Sequence, residues 1–228
     1  MDKKASPNKE NDSKPKGAGV SSKISGLSNK AFAIIKFILG ICFLPFVYSG
    51  SVAFLNEFSL IGKSYQNYFW SGVITLLLIY LFVWEPVIIY AKGQKLLELI
   101  FTFFKPLVKV APYLLPIYTV VLFIAYELLS LAVKEPWVLE YSIFLLGLTI
   151  SLHIIFSAKS LRLKSDDFLK ANYIFGFSFI YILNLVLLSF CINLVFKEFS
   201  FVNFANTTFS QATNIFYAVL KQLFFPAR

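Results

Sequence analysis

Four side chains that can ionise or form several hydrogen bonds lie within long apolar segments of the chain: Glu85, Glu127, His153 and Asn184. An ionisable group is costly inside a lipid bilayer, so such a residue in a membrane-crossing segment is a candidate for function. A carboxylate beside an imidazole can form a stabilising pair or pass a proton. An amide can bind a neighbouring helix or line a substrate path. We treat these four residues as intramembrane polar candidates; hydration at a helix end, or a partner in the core, is the simpler interpretation.

A second pattern is a stripe of polar residues that recur at helical spacing, Lys95, Glu98, Thr102, Lys105 and Lys109. Spacings of three and four residues place them on one side of a helix whose other positions are mainly apolar. We predict an amphipathic helix over 95–110 in the cytoplasmic interface, broken or bent near a proline. It is either an elbow before the next span or a docking surface, with Lys95, Lys105 and Lys109 contacting a partner or anionic lipid.

Catalytic and metal-binding motifs are missing from the sequence, which contains no HExxH, GxSxG, GxGxxG or P-loop pattern. Its single histidine and two separated cysteines, Cys42 and Cys191, do not form a conventional zinc site. We therefore expect no catalytic residue, metal or cofactor, and no nucleic-acid partner. Asp166 and Asp167 could hold a divalent ion together with His153, but adjacent carboxylates among lysines are more typical of a solvated loop.

The composition indicates which elements position these groups. Of 228 residues, 58% are apolar and 14% charged, and the mean hydropathy is +0.73. Soluble domains are about 45–50% apolar and about 25% charged. We predict an all-α, polytopic membrane protein, because a helix of about 20 apolar residues crosses the hydrocarbon layer. The five predicted transmembrane helices cover residues 31–55, 69–91, 112–133, 141–158 and 173–196.

The basic residues predict an orientation and two terminal segments. Residues 1–30 contain seven lysines and no aromatic residue, so we predict a disordered cytoplasmic tail. With that tail inside, 15 basic residues fall in cytoplasmic segments and five on the other side, as the positive-inside rule requires. Residues 201–228 form an amphipathic segment, with a helix over about 206–224. A sixth span there would have to bury several amides and Lys221.

These features favour a non-enzymatic membrane subunit or scaffold, in a multi-pass protein of the cell membrane. Its expected partners are the bilayer, with anionic lipid at the cytoplasmic face, and other membrane-protein subunits. One alternative is a small transporter or channel-like protein that uses Glu85, Glu127, His153 and Asn184 along a path. A membrane enzyme acting on lipid-linked substrates is the least supported alternative.

Overall fold

The computed structural model describes residues 18–162 and 172–224, and within these residues the chain is all-α, without a β-strand. Two compact units are distinguished, Met1–Ile35 and Lys36–Arg228. The described residues of the first unit, 18–35, are assigned to the first helix. Residues 1–17, which hold most of the predicted basic tail, lie outside the described residues.

The helices are α1 (Ala18–Phe58), α2 (Lys63–Leu78) continued by a π-helical segment (Ile79–Val83), α3 (Val87–Ile100), α4 (Lys105–Leu114), α5 (Ile117–Ala132), α6 (Pro136–Arg162), α7 (Tyr173–Val195) and α8 (Phe201–Phe224).

Several helices are long and apolar enough to cross a bilayer. Among the described residues there are four such segments, Ile34–Phe58, Lys63–Val83, Pro136–Arg162 and Tyr173–Val195. The prediction of an α-helical membrane protein is therefore confirmed. The N-terminal orientation and the identity of the membrane stay predictions. Helix α5, at 16 residues, is about 24 Å long, shorter than a typical span.

Two predicted helices are interrupted where proline occurs. The predicted second span, 69–91, is wrong at its C-terminal end, because the helix stops at Val83 and Trp84 is extended. The residue before a proline is disfavoured in the α conformation, and Pro86 stands two residues further on. The predicted third span, 112–133, is likewise divided, since α4 ends at Leu114 and α5 begins at Ile117 after Pro116.

The helix predicted over 95–110, broken or bent near a proline, consists of parts of two helices, and its place in the cytoplasmic interface stays a prediction. Turns at residues 101–104 separate α3 from α4, so Lys95 and Lys105 belong to different helices. The bend precedes Pro106, which lies in the first turn of α4. There the missing N–H of proline costs no helical hydrogen bond.

Helices α2 and α6 meet through reciprocal glycine contacts. A Cβ added to Gly72 would clash with the backbone carbonyl oxygen of Phe144, and one added to Gly147 would clash with that of Phe69. Small residues allow such close backbone approach in membrane helices. This part of α6, which includes Gly147, therefore forms a close-contact face with α2. Beside it lies the main apolar core, which includes Phe58, Phe69 and Ile143.

Helix α8 begins at Phe201, earlier than expected, and runs antiparallel to α1. Just before α8, the ring of Phe199 lies 5.9 Å from that of Phe54. Further on, a Cβ placed on Gly50 would lie 3.6 Å from Thr208 Cγ2. The rings of Phe46 and Phe216 are 6.0 Å apart. The two helices therefore run side by side along the second half of the apolar span Ile34–Phe58.

We predict that Gly147→Ala lowers the stability of the purified protein. The new methyl group would press on a backbone carbonyl that cannot move aside, and overpacking of this kind costs about 1–3 kcal/mol. Thermal unfolding in detergent measures the effect. Gly62→Ala is the matched control, because its added Cβ would meet Tyr65 Cδ2 at an ordinary 3.4 Å. Equal midpoints for the two variants would contradict the close α2–α6 contact.

Candidate functional site

The candidate site is built around the break between α4 and α5. Leu115 donates the last helical hydrogen bond of α4, to Ala111 O at 2.9 Å. Pro116 has no N–H, and the Ile117 N–H turns back to Leu115 O at 2.9 Å. In a continuous helix the Ile117 N–H would instead bond the carbonyl of residue 113. Because of the break, the last carbonyl groups of α4 do not receive the backbone N–H hydrogen bonds that a continuous helix would supply.

Side chains of α6 supply a donor to the first of these carbonyls. His153 Nε2 lies 3.1 Å from Tyr113 O, and Ser157 Oγ donates to the same oxygen at 3.3 Å. Because a carbonyl oxygen can only accept, this contact places a proton on Nε2 of His153. Ser157 Oγ is also 3.0 Å from the hydroxyl oxygen of Tyr90 on α3. His153, Ser157 and Tyr90 are all buried, so the cluster joins three helices away from solvent.

Helix α7 supplies a donor to the second carbonyl. Asn184 Nδ2 donates to Leu114 O at 3.1 Å and to Ile180 O, within α7, at 2.8 Å. Its side chain is fully buried. One turn into α5, Thr119 Oγ1 donates to Thr149 Oγ1 of α6 at 3.1 Å. Both sides of the break are thus held by hydrogen bonds from the long helices α6 and α7.

A small cavity lies beside the break, with a volume of about 10 Å³. That is close to the space needed for one water molecule. The polar residues that line it include Tyr90, Gln94, Thr149 and His153. Gln94 Nε2 is buried without a hydrogen-bond partner among the described residues. The cavity therefore has the size and the polar groups to hold a single bound water.

The four intramembrane candidates do not line a common cavity among the described residues. His153 faces the small cavity at the break, whereas Asn184 lines a separate cavity between α1, α2, α6 and α7. Glu127 is exposed in the second half of α5. Glu85 and His153, which we considered as a pair, have different partners, since the carboxylate of Glu85 accepts a hydrogen bond from Lys159.

Glu85 lies outside the apolar spans, in the break that follows the π-helical segment. The hydrogen bond from Lys159 lowers the pKa of the Glu85 carboxyl, so this ion pair is charged at neutral pH. Both side chains are partly exposed, at 40% for Glu85 and 51% for Lys159. A pair of this kind orients the ends of two helices and contributes little to stability.

The remaining candidates are less completely described. Lys95 and Lys105 are exposed, and their contact with anionic lipid or a partner stays a prediction. The side chain of Lys109 lies outside the described part of the chain, as do Asp166 and Asp167.

The sequence reasoning missed the carbonyls of Tyr113 and Leu114 as the groups around which the site is arranged. Two signals were present. Pro112 and Pro116 are four residues apart, and Thr149, His153 and Ser157 recur every four residues on α6. The prolines indicate a broken helix, and the spacing on α6 indicates a row of hydrogen-bonding side chains on one face. Neither pattern predicts that this row contacts the broken helix.

No family model matches this chain, and no curated protein or solved structure is significantly similar to it.

We predict that His153→Phe destabilises the protein whereas His153→Gln does not. Phenylalanine would remove the 3.1 Å contact with Tyr113 O, while glutamine retains an N–H donor of similar reach. Interhelical hydrogen bonds in membrane proteins are worth about 0.6 kcal/mol on average, and up to about 1.7 kcal/mol. Unfolding midpoints in detergent would separate the two variants. Equal stability of both would show that the contact at the break carries no net energy.

Proposed function

We propose that this chain is a non-enzymatic subunit of a larger membrane assembly, and that α8 is the element that binds its partner. The observation that carries the proposal is a stripe of exposed polar residues along α8, spaced mainly by three or four positions. We name this set the α8 polar stripe; its members are Asn203, Asn206, Ser210, Thr213, Asn214 and Lys221.

The position of α8 makes these exposed amides significant. Its contacts with α1 extend from Gly50 to Phe46, and Phe46 is at the middle of the apolar span Ile34–Phe58. A helix that follows a membrane span to its midpoint enters the hydrocarbon layer. There an amide without a hydrogen-bond partner is costly. Lys221, near the C-terminal end of α8, is long enough to reach an interface.

The amide and hydroxyl groups of the α8 polar stripe indicate which chemical groups its partner must present. Amide and hydroxyl side chains hydrogen-bond to similar groups on a neighbouring helix, and such pairs hold membrane helices together. The partner we propose is therefore a transmembrane helix of another protein that presents amide or hydroxyl groups. Large apolar residues beside the stripe, such as Phe209, and in line with it, such as Tyr217, are also exposed and would extend the contact.

The two alternatives receive less support. A transporter that uses Glu85, Glu127, His153 and Asn184 needs a shared polar path. His153 and Asn184 both bond to the break between α4 and α5, but they line different cavities, and Glu85 is paired with Lys159. An enzyme acting on lipid-linked substrates would rely on Asp166 and Asp167, which lie outside the described residues.

We predict that the double substitution Asn206→Leu and Asn214→Leu releases the partner without unfolding the chain. Leucine suits a lipid-exposed helix face, so the bundle should stay folded while two hydrogen-bonding positions are lost. The measurement is recovery of co-purifying proteins in mild detergent, by mass spectrometry. We expect at least about a tenfold loss of a stoichiometric partner.

Asn67→Leu is the matched control, because Asn67 is an exposed amide on α2, away from the stripe. The proposal fails if the native protein purifies alone, or if the double variant retains its partner as well as the control does. Capture of only a second copy of this chain would also contradict it.

A further inference from the structure

A second cavity, larger than the one at the break, is lined by no residue of α8. It lies between α1, α2, α6 and α7 and has a volume of about 220 Å³. A cavity of about 150 Å³ lined by apolar side chains binds benzene, so this one has room for a larger apolar group. Its walls include Phe54, Val73, Ile150 and Leu188.

The exposed residues of the lining belong to α1 and α2, so we infer that the cavity opens between these two helices. Leu55 and Trp70 line it and are also exposed, by 47% and 40%. Both lie within the apolar spans Ile34–Phe58 and Lys63–Val83. An opening between two membrane-spanning helices faces lipid, and a ligand would enter from the bilayer.

The polar groups of the cavity are neutral, and most of them already have partners. Ser51 Oγ donates to Val47 O at 2.7 Å and lies 2.8 Å from the hydroxyl of Tyr181. Ser151 Oγ donates to Gly147 O at 2.7 Å. Of the described residues that line the cavity, none is charged, so nothing there would balance a charged headgroup.

Among the described residues that line the cavity, one buried polar atom lacks a partner. Asn184 is fully buried and lines the cavity, and its Oδ1 has no hydrogen-bond partner among the described residues. The orientation of the amide is determined by its neighbours. The nitrogen faces two carbonyl oxygens, Leu114 O and Ile180 O, so the other amide atom must be the oxygen. The unpaired atom, Asn184 Oδ1, is therefore a hydrogen-bond acceptor, and a ligand that pairs with it must supply a donor.

We propose that this cavity binds a neutral membrane lipid that carries a free hydroxyl group. The apolar walls hold part of the hydrocarbon chain, and the hydroxyl donates a hydrogen bond to Asn184 Oδ1. A neutral headgroup agrees with the uncharged lining, and entry from the bilayer agrees with the position of the mouth. This site does not depend on the role proposed for α8, so either proposal can fail alone.

The test uses the full chain in phosphatidylcholine nanodiscs and a diacylglycerol probe with a diazirine in one acyl chain. After irradiation, labelled peptides are identified by mass spectrometry. We expect labels on the segments that contain Leu55 and Trp70. Val73→Phe fills the cavity and should reduce labelling at least fivefold. Ile74→Phe is the matched control, because Ile74 is the next residue of α2, is exposed and does not line the cavity.

A competition experiment on the unaltered protein tests the hydrogen bond itself. Unlabelled diacylglycerol should compete with the probe about ten times better than its methyl ether, which has the same chains but no hydroxyl donor. Equal labelling of Val73→Phe and Ile74→Phe would overturn the location of the site. Equal competition by the alcohol and the ether would overturn the role of Asn184.

Discussion

The structure depends on one constraint, that every backbone polar group inside a bilayer must find its partner within the protein. Helix α4 ends among its neighbours, and its last carbonyls cannot all be served by its own backbone. Tyr113 O and Leu114 O accept hydrogen bonds from side chains of α6 and α7. The polar residues of these two long helices therefore compensate for an irregular backbone elsewhere. Replacing them with apolar residues would leave the break unsupported, although α6 and α7 would become more hydrophobic.

This constraint makes α6 the central helix of the described bundle. Gly147 brings it against α2, Thr149 bonds to α5, and His153 and Ser157 bond to α4. Gly147 and Thr149 lie within one turn, and His153 and Ser157 lie on the next two turns, so contacts with three different helices follow one another along its length. A large side chain at Gly147 would separate α2 from α6, whereas loss of His153 would act only on the break.

The spans that the sequence predicted best are those without an internal interruption. Residues 173–196 were expected as a span, and α7 covers Tyr173–Val195. The errors fall at Pro86 and Pro116, because proline within an apolar run is compatible with a kinked helix as well as a broken one. His153 and Asn184 were recognisable as residues that need partners. Their partners were not, because a carbonyl becomes available only where the helix breaks, and Lys159 lies 74 positions from Glu85.

Asn184 connects the break with the large cavity, since its two amide atoms serve different regions. The nitrogen donates to Leu114 O at the end of α4, and the residue also lines the cavity between α1, α2, α6 and α7. A hydrogen bond received by Oδ1 polarises the amide and strengthens the bonds that its N–H groups donate. Occupation of the cavity would therefore tighten the hold of α7 on the break. The same residue supports the backbone of α4 and provides the polar contact for a ligand, which accounts for an amide in the apolar interior of α7.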